Sequence, residues 1–160
     1  MLHRIEVSQK SPNTDSPAHR ILKIVRDDFG IPAESASLIR VYTLEMDLRT
    51  EELDRVGTEL FHDPITEIYA VDKPLAGEFD WLIEAGFKPG VTDNVGRSAR
   101  EGIADTLGRK LGDEDQVYTS RQVLLRGPLN RQVNQVRHLL RVQIRQGQLL
   151  GALPPASRAL

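Results

Sequence analysis

Apolar and polar residues follow two different periods along the first half of the chain. Strict alternation is typical of a strand with one buried side, whereas apolar residues three or four apart form one face of a helix. The pattern predicts a strand over 3–10, a helix that ends at Gly30, a strand over 38–48, a helix from Thr50 and a closing strand over 65–71. Short strands and helices therefore alternate.

The same order of elements recurs 78 residues later. The positions that match are Ile5 and Ile83, Glu6 and Glu84, Lys10 and Lys88, Thr14-Asp15 and Thr92-Asp93, Val25 and Ile103, and Gly30 and Gly108. The second copy is then two residues shorter than the first, so that Val41-Tyr42-Thr43 matches Val117-Tyr118-Thr119. Repetition at a fixed spacing indicates copies of one structural unit. We therefore expect a first unit over 1–76 and a second unit over 77–160.

Each unit is predicted to run strand, helix, long strand, helix, strand. In the second unit the later helix is expected between 129 and 140. Helices would lie on one face of an antiparallel sheet, which is an α+β arrangement. A bent or split long strand would make each unit ferredoxin-like. The predicted fold is thus two tandem ferredoxin-like-related units.

Composition narrows the class of protein. The chain has 160 residues, of which 39% are hydrophobic, as in an ordinary soluble globular protein. The absence of cysteine excludes disulfides, thiolate metal sites and thiol nucleophiles. No segment approaches the ~18–20 apolar residues of a membrane span, and the N-terminus lacks the apolar run of a signal peptide. We expect a cytoplasmic protein that binds no membrane.

Charge is divided unevenly along the chain. Residues 1–115 hold 14 Lys and Arg and all 23 Asp and Glu, whereas residues 116–160 hold seven Arg and no acid. A segment of this length without acid arises by chance roughly once in several hundred. Two explanations stay open: a basic C-terminal tail that docks on an acidic partner, and a reading frame that shifted near residue 120. Under either, we expect no firm closing strand over 142–150 and a mobile segment over 151–160.

Residues with catalytic chemistry are few. None of the four histidines lies at metal-ligand spacing from another, and the motifs of phosphate-binding loops, dinucleotide folds and nucleophile elbows are absent. His62 before Asp63 is consistent with a base oriented by an acid, and also with the commoner use of this pattern as a turn. We predict no catalytic residue and no metal site in this chain.

One segment between a strand and a helix of the second unit is richer in residues that could bind a ligand. Gly86 and Gly90 flank a proline, and Asp93 stands where a helix would begin. Backbone N–H groups at a helix start favour an anion, and Lys88 and Arg97 lie beside them in the sequence. A turn followed by a well-capped helix explains the same residues. The chemistry alone leaves both interpretations open.

The run Lys88-Pro-Gly-Val-Thr-Asp-Asn-Val-Gly-Arg97 resembles the hallmark of the small-subunit-like domain of phosphoribosylformylglycinamidine synthase. The first unit carries a degenerate form, Lys10-Ser-Pro-Asn-Thr-Asp-Ser-Pro-Ala18. Residues 39–46 and 63–67 resemble the same domain. The resemblance covers residues 3 to about 125.

This resemblance implies a role without catalysis. The family's whole enzyme, a ligase of purine biosynthesis, makes formylglycinamidine ribonucleotide from formylglycinamide ribonucleotide, glutamine and ATP. The small-subunit-like domain bridges the synthetase and the glutaminase and helps ammonia transfer between them. The implied partners are those two components, with ATP and magnesium in the synthetase and no cofactor in this chain; a homo-oligomer stays open. The implied interaction residues are Lys88, Pro89, Gly90, Asp93, Asn94, Gly96 and Arg97.

Two other classes of function compete with this interpretation. Tandem ferredoxin-like units also serve as regulatory modules that bind a small ligand between them. A nucleic-acid binder would use the arginine-rich C-terminus, but aromatic residues are only 5% of the chain and the net charge is −2. The low aromatic content disfavours base stacking, and the negative net charge disfavours binding to phosphate backbones. We expect no nucleic-acid partner.

Overall fold

A computed structural model describes residues 1–11, 16–87, 90–128 and 143–146 of the chain. The helix Thr50–Val56 continues into a π-helical turn, Gly57–Phe61. The elements, in chain order, are β1 (Leu2–Gln9), α1 (Ser16–Asp27), β2 (Ser35–Glu45), α2 (Thr50–Val56), β3 (Glu67–Val71), β4 (Trp81–Gly86), α3 (Asn94–Leu107), β5 (Gln116–Arg126) and β6 (Gln143–Gln146).

The strands form one sheet with the order β3-β1-β2-β5-β4-β6, and all neighbours are antiparallel. The first three strands and the last three have the same relative order, with the long strand innermost. The long strands β2 and β5 have 11 residues each, run without interruption and pair with each other along their whole length. The predicted α+β class with an antiparallel sheet is confirmed.

The three described helices pack on one face of the sheet, and two of them reach across its middle. Helix α1 contributes Val25 to a buried cluster with Ile83 of β4 and Leu125 of β5. Helix α3 contributes Ile103 to a cluster that holds residues of β1 and β2. Because each half of the sheet is covered by a helix from the other half, the hydrophobic core belongs to both.

The opposite face carries a buried polar network under the segment that links β3 to β4. Glu6, at 1% exposure, accepts from Arg4 Nε at 2.8 Å and from the backbone N–H of Leu75 at 2.7 Å. Arg4 Nη2 also lies 3.2 Å from Glu84 Oε1, and Gln122 Nε2 donates to Glu84 Oε2 at 3.2 Å. A buried carboxylate is stable only when paired in this way, so the network fixes the linking segment to the sheet.

The sequence repeat holds for the first strand and helix of each half. Ile5 and Ile83 are both buried, with exposures of 0% and 6%. Gly30 and Gly108 follow α1 and α3 with φ of 61° and 64°. This left-handed conformation is the usual end of a helix and favours glycine.

The match between the long strands, however, is wrong. Ile5 lies opposite Tyr42 whereas Ile83 lies opposite Val123, so Tyr42 corresponds in position to Val123 and not to Tyr118. Tyr42 is buried beneath the helices, but Tyr118 lies on the other face and is 47% exposed. Side chains alternate between the faces of a sheet, so a shift by an odd number of residues moves each one to the wrong face.

One of the expectations for the C-terminal segment is wrong, and the others fall outside the described residues. We expected no firm closing strand over 142–150, but the structure places β6 there, paired with β4 from Gln143 to Gln146. The predicted helix within 129–140, the predicted tail over 151–160 and the pair Thr14-Asp15 lie outside the described residues. Among the described residues, no helix has the length and apolar character that crossing a membrane requires.

The shared core makes a prediction about unfolding. Ile103 is 0% exposed, and truncating a side chain buried in this way costs about 2–5 kcal/mol. We expect Ile103→Ala to lower the free energy of unfolding by that amount while the chain still unfolds in one transition. Denaturant titrations followed by far-UV circular dichroism and by the fluorescence of Trp81 measure this. Separate midpoints for the two signals in the wild-type chain would contradict a shared core.

Candidate functional site

Asp93 fixes the start of α3 and binds it to β5. Its carboxylate accepts the backbone N–H of Gly96 at 2.7 Å, as the capping residue of a helix does. It also accepts the backbone N–H of Thr119 at 2.6 Å and the Thr119 hydroxyl at 2.9 Å. One side chain therefore caps the helix and attaches it to the sheet.

Two glycines of the same segment have distinct physical roles. A Cβ on Gly96 would lie 2.3 Å from the Val117 carbonyl oxygen, so only glycine lets α3 approach β5 this closely. Gly90 has space around it but adopts a φ of 84°, which residues with a Cβ rarely adopt. Both positions are explained by the local fold.

The structure shows the capped helix that the sequence allows for this segment. The Asp93 carboxylate lies at the start of α3 and accepts from the backbone N–H of Gly96. Asn94 and Arg97, in the first turn of α3, are exposed. Lys88 and Pro89 lie outside the described residues. The described site residues thus divide into supports of the local fold, which are Gly90, Asp93 and Gly96, and the exposed Asn94 and Arg97.

Exposed apolar side chains surround the start of α3. Phe87 follows β4, Val91 lies in the turn and Val95 in the first helical turn, and each is more than half exposed. Isolated exposed apolar residues are common, but several in one segment indicate a contact surface. We call these three residues the apolar patch.

A groove of about 350 Å³ adjoins this patch, at the end of β4 and above the central strands. We call it the central groove. Arg40 and Arg121 lie directly opposite each other in it, on β2 and β5. Arg40 Nη2 lies 2.8 Å from both carboxylate oxygens of Glu67. Arg121 is exposed and has no ion pair with any residue that the structure describes. The groove is also lined by Tyr42, Phe87, Val95 and Thr119.

The sequence offered no signal for the central groove. Arg40 and Arg121 are 81 positions apart, and each is an ordinary polar residue within its strand. Only the β2–β5 register makes them neighbours. The apolar patch had a weak signal, because Val91 and Val95 lie inside the run that resembles a known family.

His62 and Asp63 do not form a base and its orienting acid. His62 Nδ1 lies 2.8 Å from the Gly57 carbonyl oxygen, and its ring packs on Tyr69 with centroids 4.5 Å apart. The backbone N–H of Ile65, which donates to Asp63 at 2.8 Å, holds the pKa of the Asp63 carboxyl below its usual value. Both residues therefore serve the turn before β3.

Metal-ligating side chains are scattered in the part of the chain that the structure covers. No group of three or more His, Asp or Glu is arranged there so that it could hold an ion. The polar side chains near the central groove are instead engaged with one another or, for Arg121, exposed.

Comparison with known proteins supplies no family. No protein-family model matches the chain, and no curated protein matches it. The function is therefore argued from the site and from the residues that resemble a family motif.

The close approach at Gly96 gives a prediction about stability. We expect Gly96→Ala to lower the free energy of unfolding by about 1–3 kcal/mol, as overpacking does. Gly77→Ala is the matched control, because a Cβ there meets no atom within 4 Å. Thermal and urea unfolding of both variants measure the difference. Equal stabilities of the two variants would show that α3 does not contact β5 in this way.

The Asp63 turn gives a prediction about pH. A carboxyl whose pKa is lowered by folding stabilises the folded chain above its unfolded pKa, which is 3.8, and loses that effect as the pH falls through the folded pKa. We expect the stability difference between wild type and Asp63→Asn to be complete near neutral pH and to shrink as the pH falls below 3.8. Urea unfolding of both proteins across this range tests it; a difference that grows on acidification would contradict the assignment.

Proposed function

We propose that this chain is a noncatalytic assembly module of phosphoribosylformylglycinamidine synthase that bridges the synthetase and the glutaminase and helps ammonia pass between them. One observation carries the proposal. Residues 90–97 of the run that resembles the family's hallmark form the turn and the start of α3, with Asp93 and Gly96 as supports and with Arg97 and the neighbouring apolar patch exposed. A rigid start of a helix with exposed apolar side chains is a suitable surface for binding other proteins.

The architecture gives this proposal further support. The two halves of the sheet have the same strand order and place their long strands side by side. We interpret them as two tandem units, over 1–76 and 77–160, of the small-subunit-like kind; they would be related to the ferredoxin-like fold although neither long strand is split. Their arrangement in one sheet corresponds to a dimer contained in a single chain.

The proposed division of labour leaves the chemistry to the partners. The glutaminase releases ammonia from glutamine. The synthetase, with ATP and magnesium, phosphorylates the amide oxygen of the substrate, and ammonia then displaces the phosphate. This chain contributes contacts and no reacting group. The setting is purine biosynthesis in the cytoplasm.

A small-ligand regulatory module is the second candidate function. The observation that favours it is the central groove, whose volume of about 350 Å³ falls within the ~300–1,000 Å³ range of small-molecule sites. An assembly module needs no such groove. The two functions are compatible in one chain.

The proposal predicts a difference between two nitrogen sources. We expect the chain to restore glutamine-dependent product formation to separately purified synthetase and glutaminase, and to leave turnover with free ammonia unchanged. Free ammonia reaches the synthetase from solution and needs no bridge. Coupled assays of ADP release measure both reactions. Equal stimulation of both would contradict a role in ammonia transfer, and ATP turnover by the chain alone would contradict a noncatalytic role.

A pair of variants locates the contact surface. Arg97→Glu reverses a charge beside the apolar patch, whereas Arg20→Glu makes the same change on the exposed side of α1. We expect Arg97→Glu to weaken co-sedimentation with the synthetase at least tenfold and Arg20→Glu to leave it unchanged. Equal binding by both variants would place the contact elsewhere.

A further inference from the structure

We propose that the central groove binds a small organic oxyanion. Its carboxylate or phosphate group would lie between Arg121 and Arg40, and its apolar part would contact Phe87 and Val95. This site shares Phe87 and Val95 with the apolar patch, and it does not depend on the bridging role proposed above.

The charge of Arg121 has no partner among the described residues. Arg40 and Arg121 are direct partners on neighbouring strands and point to the same face. Like charges placed directly opposite each other in a sheet destabilise it. Glu67 neutralises Arg40 at 2.8 Å, but no described residue does so for Arg121. An anion from outside the chain would supply Arg121 with the counter-ion that Glu67 supplies to Arg40.

The acids near the central groove are already engaged. Asp93 accepts from Gly96 and from both the backbone and the hydroxyl of Thr119. Glu67 accepts from Arg40, from Gln9 Nε2 at 3.0 Å and from the backbone N–H of Asp63 at 3.0 Å. Neither carboxylate can turn to Arg121 without losing these bonds. The groove therefore lacks an internal counter-ion for Arg121 among the described residues.

The lining of the groove suits an oxyanion that carries an apolar part. A guanidinium presents a planar fork of N–H donors that fits carboxylate and phosphate groups. Beside it, Phe87 and Val95 are each 52% exposed, so an apolar group placed there would remove their side chains from water. Tyr42, stacked on Phe61 with centroids 4.2 Å apart, gives the groove a rigid lining. An anion that fits these features carries an aromatic or branched aliphatic group beside its carboxylate or phosphate.

Titration of the full chain with simple probes tests the proposal. The probes are inorganic phosphate, phenyl phosphate and phenylacetate, and the readout is the NMR shift of the arginine Nε–Hε and of the backbone amides of Val95 and Thr119. We expect saturable shifts at these positions and binding of phenyl phosphate about tenfold tighter than inorganic phosphate, from burial of the ring. Phenyl phosphate and phenylacetate separate a phosphate ligand from a carboxylate ligand.

Three variants sharpen the test. Arg121→Gln should weaken binding at least tenfold, whereas Arg126→Gln, an exposed arginine at the end of the same strand, should not change it. Phe87→Ser should keep the binding of inorganic phosphate and remove the preference for the phenyl group.

The ligand-free Arg121→Gln chain should also have an unfolding temperature at least as high as wild type, because one of two opposed charges is gone. Equal binding by the two glutamine variants, or no saturable shift with any probe, would overturn the proposal.

Discussion

The pairing of β2 with β5 is the interaction on which the rest of this structure depends. These strands are the longest in the described sheet and pair over 11 residues each. Without this contact each half would expose a long strand edge, which invites aggregation. Helices α1 and α3 would also lose the strands of the other half, against which Val25 and Ile103 are buried. A single backbone ladder therefore holds together both the sheet and its helical cover.

The same ladder positions the surfaces that we connect with function. Thr119 lies on β5 and donates its backbone N–H to the Asp93 carboxylate, so the start of α3 is fixed relative to the middle of the sheet. Arg40 and Arg121 meet across the ladder and form the charged part of the central groove. The apolar patch and the groove are thus neighbours because two distant strands pair. A contact surface for proteins and a pocket for a small anion can share one rigid support.

Local patterns predicted the elements well, and long-range pairing explains what they missed. Met46 and Leu48 continue the alternation of β2 and are buried, at 3% and 5% exposure, although the strand ends at Glu45. The pattern therefore placed the strand three residues too late. The identical triplet at Val41 and Val117 misled the comparison of the long strands, because register follows pairing with β1 and β4 and not local identity. The central groove depends on the same register and was not predictable from either strand.

The register of β2 and β5 is therefore the most direct test of this account. Backbone nuclear Overhauser effects between the two strands, measured on the unmodified chain, report it without a substitution. The account predicts cross-strand contacts that place Thr43 opposite Tyr118 and Arg40 opposite Arg121. Contacts that place Thr43 opposite Ser120, or the absence of contacts between the two strands, would contradict it.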